Sequence, residues 1–154
     1  MASRGFVSKH VASHHIAPRR FWMVGLLTVL AAVVANFMVD ALALNIFHIS
    51  AAFLPLQLAG VVLSTAVGVA GAVLVFALVS RYTKRPIRTF WMIAIFVLAV
   101  SFIPIVALLL NPGSIAGTTT LAAVVLMALH LVAASITLGS LTAFVPEKYV
   151  QPSF

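Results

Sequence analysis

The stretch Arg81-Tyr82-Thr83-Lys84-Arg85-Pro86-Ile87-Arg88 sets four positive charges within eight residues. Going back along the chain, the next Lys or Arg is Arg20; going forward, it is Lys148. Each basic side chain at the centre of a bilayer costs about 2.5–3.5 kcal/mol on insertion scales. A cluster this dense, set between long apolar runs, is therefore a water-facing turn joining two membrane spans.

Outward from that turn the chain divides into four spans. They cover about residues 21–44, 56–80, 89–110 and 119–145, with a basic arm at 1–20 and a short tail at 146–154. Each run reaches the roughly 20 residues needed to cross a hydrocarbon core of about 30 Å. Pro55 suits the first turn of span two, where a missing N–H costs nothing. Thr118 or Thr119 suits the cap of span four, and Asn111-Pro112-Gly113 reads as the preceding turn. Pro104 lies inside span three, removes the donor for the carbonyl of Val100, and is expected to kink the helix. The first span is longer than the apolar part of a secretory signal, although Ala41-Leu42-Ala43 mimics a cleavage site; it reads as an anchor.

Composition leaves little alternative. Of 154 residues, 64% are hydrophobic and 7% charged, against about 25% charged in soluble domains. The net charge of +7 does not imply nucleic acid, because all nine basic residues fall in the tails or in the one turn. Four lie in the N-terminal arm, four in the 81–88 turn and one, Lys148, in the tail, while the other two connections have none. The positive-inside rule then makes both termini and that turn cytoplasmic. Short connections imply an all-α, up-down-up-down bundle of four transmembrane helices. Phe21, Trp22, Tyr82, Phe90, Trp91, Phe144 and Tyr149 fall at the same interface, where aromatic rings favour the headgroup layer. Arg20-Phe21-Trp22-Met23 and Thr89-Phe90-Trp91-Met92 are alike, as two inward-starting helices with an aromatic belt would be.

In lipid, helices associate through small residues that let backbones approach. Span two carries Gly60, Ser64, Gly68 and Ala72 at four-residue spacing, and span four carries Ser135, Gly139 and Ala143. These faces are expected to make tight contacts, within the bundle or against a partner.

Few residues can carry chemistry. Cysteine is absent, which excludes disulfides, thiolate metal sites and thioether-linked haem. Asn36 and Asp40 share a face of span one, roughly 12 and 6 Å from its outer end by helical rise. An ionisable group within a span is a functional candidate; its plainer role is to reach interfacial water, with Asn36 bonding another helix. His130 lies about 16 Å from the outer end of span four. Ser101, and Ser64 or Thr65, come to similar depth, so a polar layer of Asn36, Ser64 or Thr65, Ser101 and His130 is expected. His130 reads as a hydrogen-bonded neutral imidazole, a proton-relay group, or an axial ligand to a haem or chlorophyll-type pigment. His10 and His14 have helical metal-pair spacing but no accompanying carboxylate or cysteine. Arg81, Lys84, Arg85 and Arg88 can contact anionic lipid heads, at about 1 kcal/mol each. No phosphate-binding glycine loop or nucleophile–base motif is present, so the sequence requires no cofactor and names no reaction.

Val34-Ala35-Asn36, Asp40-Ala41-Leu42-Ala43, Arg81-Tyr82-Thr83-Lys84-Arg85-Pro86 and Ala128-Leu129-His130-Leu131-Val132-Ala133-Ala134 carry a resemblance to a bacterial family of small four-helix membrane proteins, a domain of unknown function. The resemblance implies a bacterial source and the four-span fold, and brings no activity; the expected location is the bacterial inner membrane. Two functions are expected from different classes. One is a non-catalytic accessory subunit of a larger membrane complex, such as a respiratory or photosynthetic electron-transfer assembly, whose partners are lipids and other membrane subunits or further copies. The alternative is a small oligomeric transporter or proton-coupled carrier using Asp40 and His130.

Overall fold

A computed structural model describes residues 18–50, 52–111 and 114–144. Four helices dominate: α1 (Pro18–Phe47), α2 (Leu58–Tyr82), α3 (Pro86–Leu110) and α4 (Thr120–Phe144). A 3-10 turn, Leu54–Leu56, precedes α2. The described residues include no strand. All four helices are long and apolar enough to cross a membrane. Their outward faces are apolar, with Leu26, Leu63, Phe96 and Ile103 more than half exposed. Contiguous exposed apolar surface on this scale requires a lipid covering, as in a multi-pass membrane protein.

The helix limits follow local chemistry. Pro86 occupies the first turn of α3, where its fixed φ and missing N–H are harmless. Thr119 caps α4, its Oγ1 accepting from the Ala122 N–H at 3.1 Å, whereas the Thr118 hydroxyl donates to the Ile115 carbonyl. His48, at φ 49°, ends α1 with its N–H on the Leu44 carbonyl, a left-handed residue that stops the helix. One expectation needs correction: Pro55 does not open α2. It lies in the 3-10 turn, where the N–H groups of Leu56 and Gln57 reach the carbonyls of Phe53 and Leu54, and α2 begins at Leu58. Proline fits either position, so hydropathy alone could not separate them. α3 continues helical through Pro104. Residues 1–17 of the basic arm, with His10 and His14, the Pro112-Gly113 pair, and the tail with Lys148 and Tyr149 lie outside the described residues, whereas Arg19 and Arg20 of the arm belong to the first turn of α1.

α1 is the central packing element, lying against both α2 and α4; α3 rests chiefly on α4, less on α2 and least on α1. α1 and α2 approach closely at Gly25, where an added Cβ would stand 2.7 Å from Val73 Cγ1. Two apolar clusters form the ends of the bundle. One joins Ala43, Phe53, Leu56, Val61, Ala122, Val125 and Leu129. The other joins Val73, Phe76, Phe90, Leu138 and Leu141. Its Phe76 and Phe90 rings meet edge-on, 4.8 Å apart, and Phe21 stacks on Phe76 at 6.3 Å. At the first cluster the two uncharged connections meet: Phe53 is fully buried, and Gly117, at φ +77°, presses against its backbone. Only glycine adopts that φ without strain, and a Cβ there would come within 2.8 Å of the Phe53 nitrogen.

Candidate functional site: a lateral cavity with a polar band

Between the two apolar clusters the bundle is incompletely filled. A cavity of about 590 Å³ lies among α2, α3 and α4, with Asn36 of α1 reaching its wall. The clusters close its ends. Ser64 and Gly68 on α2 and Val97 on α3 line it and are exposed, so it opens sideways between α2 and α3, the most loosely packed of the consecutive helix pairs.

The cavity gathers the expected polar layer: Asn36, Ser64, Thr65, Ser101 and His130 all line it. Their spacing explains the convergence, since residues of similar depth on facing helices point at one another when those faces pack. Asn36, 3% exposed, donates from Nδ2 to Thr65 Oγ1 at 2.9 Å, the one hydrogen bond between helix side chains across the described bundle. Thr65 rather than Ser64 is thus the partner; the Ser64 hydroxyl donates back to the Val61 carbonyl at 3.3 Å. Ser101 likewise donates to the Leu98 carbonyl at 2.7 Å. Thr137, one further polar residue of the wall, donates to the Ala133 carbonyl at 2.7 Å. Thr137 was not singled out from the sequence, although it lies seven residues beyond His130 on the same helix face.

His130 is the chemically distinctive group. Its Nδ1 lies 2.7 Å from the Leu126 carbonyl oxygen. A carbonyl can only accept, so Nδ1 carries a hydrogen, and in the neutral imidazole Nε2 keeps its lone pair. Phe102 packs edge-on against the ring, centroids 6.3 Å apart. A backbone carbonyl on one ring nitrogen is the arrangement that fixes the tautomer of a ligating imidazole. A pigment or haem needing two histidines would find no match here: His48, the other described histidine, lies exposed after α1. Among the described residues no three of His, Asp or Glu group as a metal site.

Asp40 does not line the cavity. It is 2% exposed, its Oδ1 is buried without a hydrogen-bond partner, and the same holds for Asn36 Oδ1. The two side chains, one turn apart on α1, therefore leave two buried oxygens unpaired, a costly arrangement unless water or a ligand completes it. Asp40 does not reach interfacial water through exposure of its own side chain.

The small-residue faces take different places. Gly60, Ser64, Gly68 and Ala72 form one wall of the cavity; Gly60 abuts the Leu54 carbonyl, 3.0 Å from an added Cβ, while Gly68 would meet nothing within 4 Å. Gly139 also faces open space and Ser135 is exposed. Neither Gly68 nor Gly139 makes a tight contact within the bundle. Gly25 does, and a single glycine without a repeat gave no signal. Arg81, Lys84, Arg85 and Arg88 are all exposed at the α2–α3 turn, with the Arg81 guanidinium 5.8 Å from the Tyr82 ring centroid.

No curated protein and no solved structure matches this chain. Residues 16–145 do match a protein family, the family of unknown function DUF6069; the four membrane-competent helices and the cavity they enclose fall within that match, and the chain belongs to that family.

Proposed function

We propose that this protein is a non-catalytic membrane subunit that works by binding, taking an apolar ligand from the bilayer into the cavity between α2, α3 and α4. The cavity itself carries the reading. Its volume of about 590 Å³ falls within the roughly 300–1,000 Å³ of small-molecule sites, which are mostly apolar with a few converging polar groups. No Asp, Glu, Lys or Arg lines it, so an uncharged guest suits it. Its sideways opening suits a guest dissolved in lipid.

In this reading the helices run up-down-up-down across a bacterial inner membrane. Both termini and the 81–88 turn are cytoplasmic, where the four exposed basic side chains can meet anionic lipid heads. The outward small face of α4, with Ser135 and Gly139, is available to another membrane subunit of an electron-transfer or similar assembly, or to a second copy. A carrier using Asp40 and His130 is the second reading, favoured by the two unpaired buried oxygens of Asn36 and Asp40. The separation of Asp40 from the cavity favours binding over carriage.

The test is gentle extraction into lipid nanodiscs, followed by native mass spectrometry and an absorption spectrum. A bound apolar molecule, lost on Gly68→Leu because leucine projects into the cavity, is the expected result. A chain that retains no molecule and takes up none when offered overturns the proposal.

A further inference from the structure

The hydrogen-bonding state of the cavity wall narrows the ligand class, given the binding role proposed above. The hydroxyl hydrogens of Ser64, Ser101 and Thr137 are each directed at a carbonyl of their own helix. The ring N–H of His130 is held by the Leu126 carbonyl at 2.7 Å. One Asn36 N–H is held by Thr65. Apart from the second Asn36 N–H and the Thr65 hydroxyl hydrogen, these groups offer lone pairs, and the strongest acceptor among them is His130 Nε2, which makes no hydrogen bond within the described protein.

A wall of this kind discriminates by hydrogen-bond polarity. A ketone, ester or ether oxygen placed at His130 would face a lone pair and leave Nε2 unpaired in an apolar setting. A hydroxyl would give its hydrogen to Nε2. We infer that the cavity selects a hydrophobic molecule bearing a hydrogen-bond donor, a membrane-soluble alcohol or phenol such as a quinol, over its oxidised or O-alkylated counterpart, with the donated hydrogen on His130 Nε2.

The experiment uses the full chain in nanodiscs with two matched probes, 1-dodecanol and its methyl ether, which differ in the donor and by one methyl group. Binding is followed by native mass spectrometry, and the His130 ring by ¹⁵N NMR of ring-labelled histidine. The chain holds five histidines, so His130→Phe assigns the signal. The alcohol is expected to bind about tenfold tighter than the ether, the value of one buried hydrogen bond, and to move the Nε2 resonance upfield while the ether leaves it in place. His130→Phe keeps a ring in the wall, is expected to bind both probes, and should abolish the preference. Equal affinities, a preference for the ether, or an Nε2 signal indifferent to the alcohol overturns the inference while the cavity remains a binding site. If neither probe binds the wild-type chain at any loading, the binding proposal itself fails.

Discussion

Gly25 and Gly68 offer a direct measurement of where this bundle is tight and where it is open. Replacing either with alanine removes the same conformational penalty of glycine in a helix, about 1 kcal/mol. That gain cancels when the two variants are compared. The difference left is the cost of the added methyl. At Gly68 it meets nothing within 4 Å. At Gly25 it would stand 2.7 Å from Val73 Cγ1, well inside the optimum carbon–carbon separation of about 3.5–4.0 Å. Val73 is 4% exposed and stiff at χ1, so it cannot swing clear. Overpacking of this sort costs about 1–3 kcal/mol, and Gly25→Ala should be less stable than Gly68→Ala by that amount. The assay is reversible unfolding in mixed micelles of increasing SDS fraction, followed by circular dichroism. Val73→Ala removes the obstructing methyl, so Gly25→Ala placed in that background should recover most of the loss. Alanines that agree within about 0.5 kcal/mol, or a Gly25→Ala cost that persists beside Ala at 73, would refute the close approach of α1 and α2.

Four further outcomes are expected. A double-mutant cycle of Asn36→Leu and Thr65→Val should give a coupling of about 0.6 kcal/mol, the average for hydrogen bonds between membrane helices; zero coupling would show that the two side chains do not meet. Gly117→Ala forces a side chain into a left-handed backbone and toward the Phe53 nitrogen, so it should lower stability by at least about 1–3 kcal/mol in the same unfolding assay. Asp40→Asn keeps shape while removing the acid: ligand occupancy should stay at the wild-type level, because Asp40 lies outside the cavity, whereas proton-coupled flux in liposomes that vanishes with this change would favour the carrier reading. The topology is open to a clean test, since the chain has no cysteine: Lys84→Cys should react with an impermeant thiol reagent only after the cytoplasmic face is exposed, and labelling of intact cells would reverse the proposed orientation.

The sequence disclosed the membrane helices well because solvent sorts residues by charge and polarity before packing matters. The four charges of 81–88 could lie only in water, and Pro86 marked the first turn of α3. Depth was legible too. Counting 1.5 Å per residue put Asn36, Ser101 and His130 at one level, and one cavity contains all three. Pairing was not legible. Ser64 and Thr65 are adjacent in the chain, yet only Thr65 meets Asn36, and that depends on helix rotation, which apolar sequence scarcely specifies when lipid and protein interior are equally hydrophobic. For the same reason the glycine face of α2 could be seen as a face without revealing that it borders empty space. The tautomer of His130 depends on a contact with its own helix, invisible until the ring's rotamer is known.

The two ends of the opening between α2 and α3 are pinned, by Phe76 on Phe90 at one end and by the seating of Gly117 on Phe53 at the other. A guest too broad for the resting aperture can therefore be admitted only if a helix bows outward at mid-length, not by the bundle splaying at a rim. On α3 the place of least resistance is Pro104, where the Val100 carbonyl already lacks its usual donor. In the binding role proposed above, that proline would set how wide a molecule the opening admits.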